Sequence, residues 1–557
     1  MRPLLVSACF LMLWARPALL HGVEPELISR WQLGDRQDNV SDGPPSTTQR
    51  DVKPGVAGPG DSVATGFNGR SSLIETADAP NMRLGTSEFT ISLWVNSTGQ
   101  GHESPGDLLS QYDPATRTGI HLGLYTHGGV TNSQPNLRQL HFGIDQGQME
   151  KSFADHGRLG QAVFVFALCV HDGRLYAATC EQEENQAGHV YRFEAEDRWT
   201  DLGSPDRANA ISAMATFDGE LYVASSKYRL AGSSLEESAN PHFGGKVFRL
   251  GSKNEWIPCG TLSPETEAVA SLISFRGKLY ASSLYRPAGF FRYEGGEQWT
   301  PLPTPDDKRV EALTVFNDAL YATSYDEGSV FRFDGQRWEH LGKLPGATQT
   351  YGFGVHRGEL FVSEWPQAHV FRWAEPKREW IDTGKLGTEL EAMPLMVYNG
   401  KLYCGTLPTA EVFRFDGPEK WFKIGRVDQT PDTKYRRAWS MAVYNGRLFV
   451  GTLPSGRVQS IEAGRNVTLD RAFPPGWHHV AAVREAKRLR LFVDGSPVAE
   501  SAEFAKEDYD LTNRQPIRIG AGAQDYFDGS LADVRLYRGA MSEEQLKSLA
   551  LPPSKDQ

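Results

Sequence analysis

The chain has 557 residues, long enough for two or more hydrophobic cores. Its 58 Lys and Arg stand against 69 Asp and Glu, a formal net charge of −11. That balance argues against nucleic acid and anionic membrane surfaces as partners, since both select basic patches.

In chain order, residues 1–22 read first, as a signal peptide. Arg2 supplies a positive start, Leu4 to Ala15 a short apolar run, and Ala18 to Gly22 small residues at a cleavage point. The run falls short of the ~20 apolar residues that a membrane helix needs, and no later stretch approaches that length. The expectation is a secreted or periplasmic monomer without a membrane span. Cleavage removes Cys9. Cys169, Cys180, Cys259 and Cys404 remain, at spacings that match no metal site or disulfide-dense scaffold. They are expected mostly as buried thiols, with one bridge left open.

Residues 23–147 contain strand-like runs, including Phe67-Asn68-Gly69 and the stretch Phe89 to Val95, but no complete domain. A repeat follows. Asp172-Gly173-Arg174-Leu175-Tyr176 recurs around Gly219, Gly277, Asp318, Gly358, Gly400 and Gly446, seven copies in all. The spacings sit near the ~40–50-residue period of propeller blades. Asn-Gly and Asp-Gly accept the positive φ angles of a two-residue hairpin. An aromatic strand carrying Arg192, Arg249, Arg292, Arg332, Arg372 or Arg414 comes next. A strand opened by Trp199, Trp256, Trp299, Trp338, Trp380 or Trp421 then completes four strands per repeat. The arginines recur too regularly for one ligand site and are expected to be structural. The seventh copy lacks its Trp strand. Residues 151–160, with Phe153 in the Trp place, are expected to supply it from the other end of the repeat and so close the ring. The insertion Lys227 to Gly245 in the second repeat is either a loop over one face or a disordered excursion.

The late segment, 462–550, carries Gly476-Trp477-His478-His479, the hairpin Asp494-Gly495, and Phe527 to Tyr537 followed by a short helix. Residues 551–557 are expected to be a disordered tail. Together, the early and late segments resemble a laminin-G-like, concanavalin-type jelly roll, with its motifs in family order but more than 300 residues apart. The repeat resembles kelch-type blades without their paired glycines. The fold class read from the sequence is therefore all-β: a seven-bladed β-propeller (148–461) inserted into a laminin-G-like β-sandwich, or jelly roll (23–147 and 462–550).

No nucleophile elbow, zinc signature, phosphate loop or dinucleotide fingerprint is present in the sequence. Glu311, Glu364, Asp326 and Glu391 fall near the blade tops by register. Tyr325, Trp365, Tyr351 and Trp439 are placed around the central mouth by the same register, with Glu311 beside them. Flat aromatic faces suit sugars, and they also suit packing. The laminin-G resemblance implies a structural calcium near Asp533, with Asp38 or Asp35 as a second ligand. The function read from this is a non-catalytic extracellular binding protein for glycans or other extracellular ligands. The alternatives are a polysaccharide-active hydrolase or lyase in the mouth, and an adhesion or scaffold protein with protein partners.

Overall fold

Strand Phe89–Ser97 is buried along almost its whole length, as its apolar run demands of a central strand. Its two neighbours come from the other end of the chain. Gly476–Arg484 pairs with one edge and Asp528–Arg538 with the other. The computed structural model describes residues 24–34, 47–97 and 103–552. Residues 1–22, read above as a signal peptide, Asp35 and Asp38, and residues 553–557 of the expected tail lie outside them.

The remaining strands of the early and late segments interleave in the same way. One sheet runs Lys53–Ala57, Val63–Asn68, Asp528–Arg538, Phe89–Ser97, Gly476–Arg484, Leu489–Val493, Ser496–Glu500, with Glu26–Trp31 also on Asp528–Arg538. The facing sheet runs Thr47–Arg50, Leu73–Thr76, Ile517–Ile519, Gly106–Asp113, Thr118–His127, Asn136–Met149, Ala463–Leu469. One core unites them, from Trp31, Phe89 and Phe142 to Phe473, Leu491 and Phe527. This is a laminin-G-like jelly roll built from both ends of the chain.

Between the halves stands a propeller-like ring. Each repeat hairpin turns through two positive-φ residues, such as Asn399 (42°) and Gly400 (74°), the geometry that matches strand twist. The sequence repeat predicts seven four-stranded blades, whereas five four-stranded sheets stand apart. The first two repeats share one eight-stranded sheet, because Cys180 at the end of Arg174–Cys180 pairs with Ala210 at the start of Ala210–Phe217. A single bridge, where the strands converge on the mouth, fuses the two ladders. One of the five sheets takes its strands from both ends of the repeat: Ala154–Arg158 lies on Arg457–Ile461, followed by Arg447–Leu453 and Arg437–Tyr444.

The repeated Trp residues act as clasps. Each indole Nε1 donates to a carbonyl of the preceding repeat: Trp256 to Leu202 (3.0 Å), Trp299 to Cys259 (2.7 Å), Trp338 to Pro303 (2.8 Å), Trp380 to Leu341 (3.1 Å) and Trp421 to Thr383 (3.2 Å). Trp199 donates to His156, in the strand that comes from before the repeat (2.9 Å). Phe153 has no such donor; its ring instead lies against Gly425, leaving no room there for a Cβ. The repeated arginines pair with carboxylates of their own sheet, as Arg249 does with Glu220 (2.6 Å) and Arg414 with Asp416 (2.6 Å). All four described cysteines are buried free thiols.

The ring and the sandwich are locked through two features. Residues 129–136, the turn between sandwich strands Thr118–His127 and Asn136–Met149, are buried inside the ring. Gly129 carbonyl accepts from Phe353 N (2.8 Å), Thr131 Oγ1 donates to Trp439 O (3.1 Å), and Gln134 N donates to Met214 O (3.0 Å). The second feature is a fully buried ion pair between Asp145 of the sandwich and Lys401 of the ring. Beside it Asn399 Nδ2 donates to Ile144 O (3.2 Å) and Ala463 O (2.8 Å). Gly400 is required there, because a Cβ would lie 2.1 Å from His121 Nε2.

Asp145→Asn should destabilise the protein by about 3 kcal/mol, since it leaves the Lys401 ammonium buried without its counter-charge. Urea unfolding of both proteins measures it. An unchanged midpoint would mean that the pair is dispensable.

Candidate functional site

The mouth of the ring gathers side chains from around its circumference. Phe164, Phe166, Tyr351, Met393, Leu407, Trp439 and Leu453 form one buried cluster, with Tyr325, Trp365, Tyr285 and Tyr435 half-buried against it. The four aromatics placed by register therefore meet. Tyr351 contacts Tyr325 and Trp439 edge-on, with ring centroids 5.4 and 6.2 Å apart. Trp365 meets Tyr435 at 6.5 Å.

The four carboxylates divide into two kinds. Asp326 is held by the Arg309 guanidinium and backbone NH, with Arg286 alongside. Glu364 accepts from His369 N (2.7 Å). Both shape loops. Glu311 and Glu391 are each 1% exposed. Neither Glu311 oxygen has a well-formed hydrogen bond, and Glu391 Oε1 also has none among the described residues. Burial pushes the Glu311 carboxyl up to about 8, Glu391 adds to the rise, and Tyr325 and Arg309 oppose it. Arg437 is buried 3.8 Å from Glu391 and over the Trp439 ring (5.3 Å). Its Nε, like Trp439 Nε1, has no partner among the described residues.

The second-repeat insertion is ordered and covers this cluster. It makes a 3₁₀ turn, Leu230–Ser233, whose Leu230 and Ser233 are fully buried. Arg437 Nη1 donates across the ring to Ser233 Oγ (2.9 Å), which also bonds the Tyr228 hydroxyl (2.8 Å). Sequence register found the aromatics and Glu311. It missed Arg437, which precedes the marked position by two, and it left open whether the insertion is ordered.

A second, open site lies where ring and sandwich meet. It is a groove of about 720 Å³, lined by Tyr112, Tyr526, Gln49, Gln515 and three exposed arginines, Arg50, Arg357 and Arg518, with the carboxyl groups of Glu75, Asp113 and Asp525 also in its wall. Arg357 belongs to a ring hairpin, whose NH donates to Ala523 O (2.9 Å) while Gly358 NH donates to Gln524 O (2.9 Å). Buried Asp107 holds the same wall by accepting from the NH groups of Gln524 and Asp525 (both 2.9 Å). Arg50 donates to the Tyr526 hydroxyl (3.2 Å), and Arg518 pairs with Glu75 (2.9 Å). Arg357 sits in a repeat hairpin, but the repeat does not mark it as a ligand group, and no motif points to the other residues.

Asp533 sits between Arg30 (2.7 Å) and Arg535, which hold its carboxyl below the usual range against its burial. Two guanidiniums already balance its charge, so its present neighbours do not fit a calcium ion. Among the described residues no His, Cys, Asp and Glu group is arranged to hold a metal.

Comparison with known proteins bears on the sandwich. The concanavalin A-like lectin/glucanases superfamily model matches residues 419–547, which include the late sandwich strands. Adhesion G-protein coupled receptor V1 of Danio rerio is 32% identical over 81 residues, 14% of this chain and 1% of the receptor. The chain thus matches only a small part of that receptor's length. Two solved structures align with just over half of the chain. Virginiamycin B lyase from Staphylococcus aureus shares 10% identity over 56% of this chain and 99% of its own, at a TM-score of 0.45. The WD40 β-propeller domain of Doa1 shares 11% identity over 56% of this chain and 97% of its own, at 0.40. Scores this low carry no further argument. No helix among the described residues is long and apolar enough to cross a membrane.

Glu311 supplies a pH test. Its carboxyl titrates near 8 in the fold against 4.5 when free, so between those values the folded chain holds the extra proton and stability falls as pH rises. The stability of wild type minus that of Glu311→Gln should be greatest below the lower value and decline steadily toward the upper one. Thermal unfolding at a series of pH values reads it, and a flat difference would place the Glu311 carboxyl in an ordinary, solvated setting.

Proposed function

We propose that this protein is an extracellular, non-catalytic binding or adhesion protein whose ligands are glycans. The observation that carries the reading is the open groove between sandwich and ring. It combines aromatic rings for sugar faces, amides for hydroxyls and exposed guanidiniums for acidic substituents. Aromatic faces set among convergent polar groups are a common element of ligand sites. The laminin-G-like match and the short stretch shared with an adhesion receptor support an extracellular setting.

The finer architecture belongs to the same proposal. We count the eight-stranded sheet as two blades, which makes seven, kelch-like in their Leu-Tyr and Trp pattern. The ring spans 148–461 and the sandwich 23–147 with 462–550. Residues 1–22 are an export signal, and the mature chain acts as a monomer. Tyr325, Trp365, Tyr351, Trp439 and Glu311 form a second, covered site. A calcium ion at Asp533 and Asp38 would first have to displace Arg30 and Arg535.

A glycan array is the direct test. The full chain should bind a subset of glycans, and acidic ones most strongly. Arg357→Ala and Tyr526→Ala should each weaken that binding by about tenfold, the equivalent of ~1.4 kcal/mol. An array with no binding, or binding that neither substitution alters, would remove the groove from the function.

A further inference from the structure

Two segments close the ring's hub from opposite sides. Residues 129–136 fill it from the sandwich, and Lys227–Gly245 covers the mouth. Between them lie polar groups that the fold leaves unserved. Glu311 offers two oxygens, with the Tyr325 hydroxyl beside them, and Glu391 one, with the Tyr351 hydroxyl beside it, while Trp439 Nε1 and Arg437 Nε are donors; none of these carboxyl oxygens and N–H nitrogens has a well-formed hydrogen bond among the described residues. Each belongs to a residue at least nine-tenths buried. Unpartnered buried groups of this kind are costly, by about 1–3 kcal/mol each.

The mixture of groups decides the chemistry. A cation would serve the carboxyls and strand the two N–H donors. An anion would do the reverse. Glu391 and Arg437 already offset each other's charge, and Glu311 at about 8 is mainly protonated near neutrality, so the hub is close to neutral. A ligand whose groups both donate and accept satisfies every member, and vicinal hydroxyls do this. Around them stand Tyr325, Tyr351, Trp365 and Tyr435, aromatic surfaces for the apolar face of a ring.

We propose that the hub is a second binding site, for a neutral polyhydroxylated ligand, and that Lys227–Gly245 is its lid. The lid is held at separable points. Asn209 pins its start through two bonds with the Tyr228 backbone (2.7 and 3.0 Å), and Asn240 pins its far side to Gln186 O and Arg207 O (2.8 and 3.0 Å). Between these pins, Glu237 caps the turn at Leu230 and Ala231 (3.2 and 3.0 Å). Arg437 Nη1 ties it to the opposite side of the ring, at Ser233 Oγ (2.9 Å) and the Tyr228 hydroxyl (3.5 Å). Arg229 is held at its own end, by the Tyr285 hydroxyl (2.9 Å) and Glu267 (2.8 Å), so residues 230–237 can lift while both pins hold once the bonds from Arg437 and from Gln182 to Glu236 O (3.0 Å) break. The site rests on the mouth being a binding surface, as proposed above, but not on the groove.

The experiment uses the full chain with residues 230–237 replaced by Gly-Ser-Gly, alongside the milder Ser233→Ala. The probes are D-glucose, D-galactose, D-mannose and N-acetyl-D-glucosamine, with tetramethylammonium as a cationic control. Binding is read by saturation-transfer NMR and Trp fluorescence, and folding by circular dichroism. A lid that occludes the site lowers apparent affinity by the closed fraction, so opening it should strengthen binding of at least one sugar about tenfold or more. Glu311→Ala and Trp439→Phe in the shortened background should abolish the gain, and Arg357→Ala should not. If the shortened chain fails to fold, Ser233→Ala decides by the same criterion of tighter sugar binding. No sugar bound more tightly by the folded lid variant, or a gain insensitive to Glu311 and Trp439, overturns the site. Preferential binding of tetramethylammonium overturns the ligand class. Loss of array binding with the hub gain intact would defeat the groove alone.

Discussion

Everything in this molecule is arranged around a loop of the sandwich that occupies the axis of the ring. Residues 129–136 bond to the innermost strands on several sides, at Phe353, Trp439 and Met214. Gly129 makes the approach possible: it has a positive φ of 74°, and a Cβ there would lie 3.0 Å from Phe353 Cβ. A ring of sheets usually leaves a channel at its centre. Here the channel is filled from one side by the neighbouring domain. Neither unit can rotate or separate without withdrawing that loop, and the buried Asp145–Lys401 pair lies beside the same seam.

That constraint also explains why the two candidate surfaces differ. The groove forms because a ring hairpin, Arg357-Gly358, is bonded to the sandwich wall at Ala523 and Gln524. Its guanidiniums face outward. The hub is closed from below by the axial loop and from above by the second-repeat insertion, so its carboxyls and Arg437 are cut off from solvent. One protein thus presents an open groove of mixed charge, with Arg50 and Arg357 exposed in it, and a covered, near-neutral chamber.

Much of the fold was legible because repetition and order survive in the sequence. The turn marks located the seven repeat hairpins and the Trp marks six of the outer strands, and the order of the flanking motifs joined the two ends in one sandwich. Register also brought Tyr325, Tyr351, Trp365 and Trp439 together. What stayed hidden depends on contacts between distant elements. Arg437 is only one of 58 basic residues until Ser233 is seen 204 residues away. Asn132, Ser133 and Gln134 look like an ordinary polar turn, yet they are buried in the hub. Likewise, the fusion of the first two repeats rests on a single pair, Cys180 and Ala210, that no periodicity announces. Asp533 resembled a metal ligand by its place in the motif, and its arginine partners are visible only in three dimensions.

The interleaving of the sandwich has a consequence for how the chain is made. Ser92 and His479 share a hydrogen bond in one central sheet although 387 residues separate them. At ordinary rates of synthesis, that interval lasts on the order of a minute. Throughout it the early strands, Phe89–Ser97 among them, have no partner to complete their sheet, and the ring must assemble first. Such far-separated pairing is slow and exposes sticky edges on the way. Biogenesis would therefore depend on something to shelter the nascent first half until the last strands emerge.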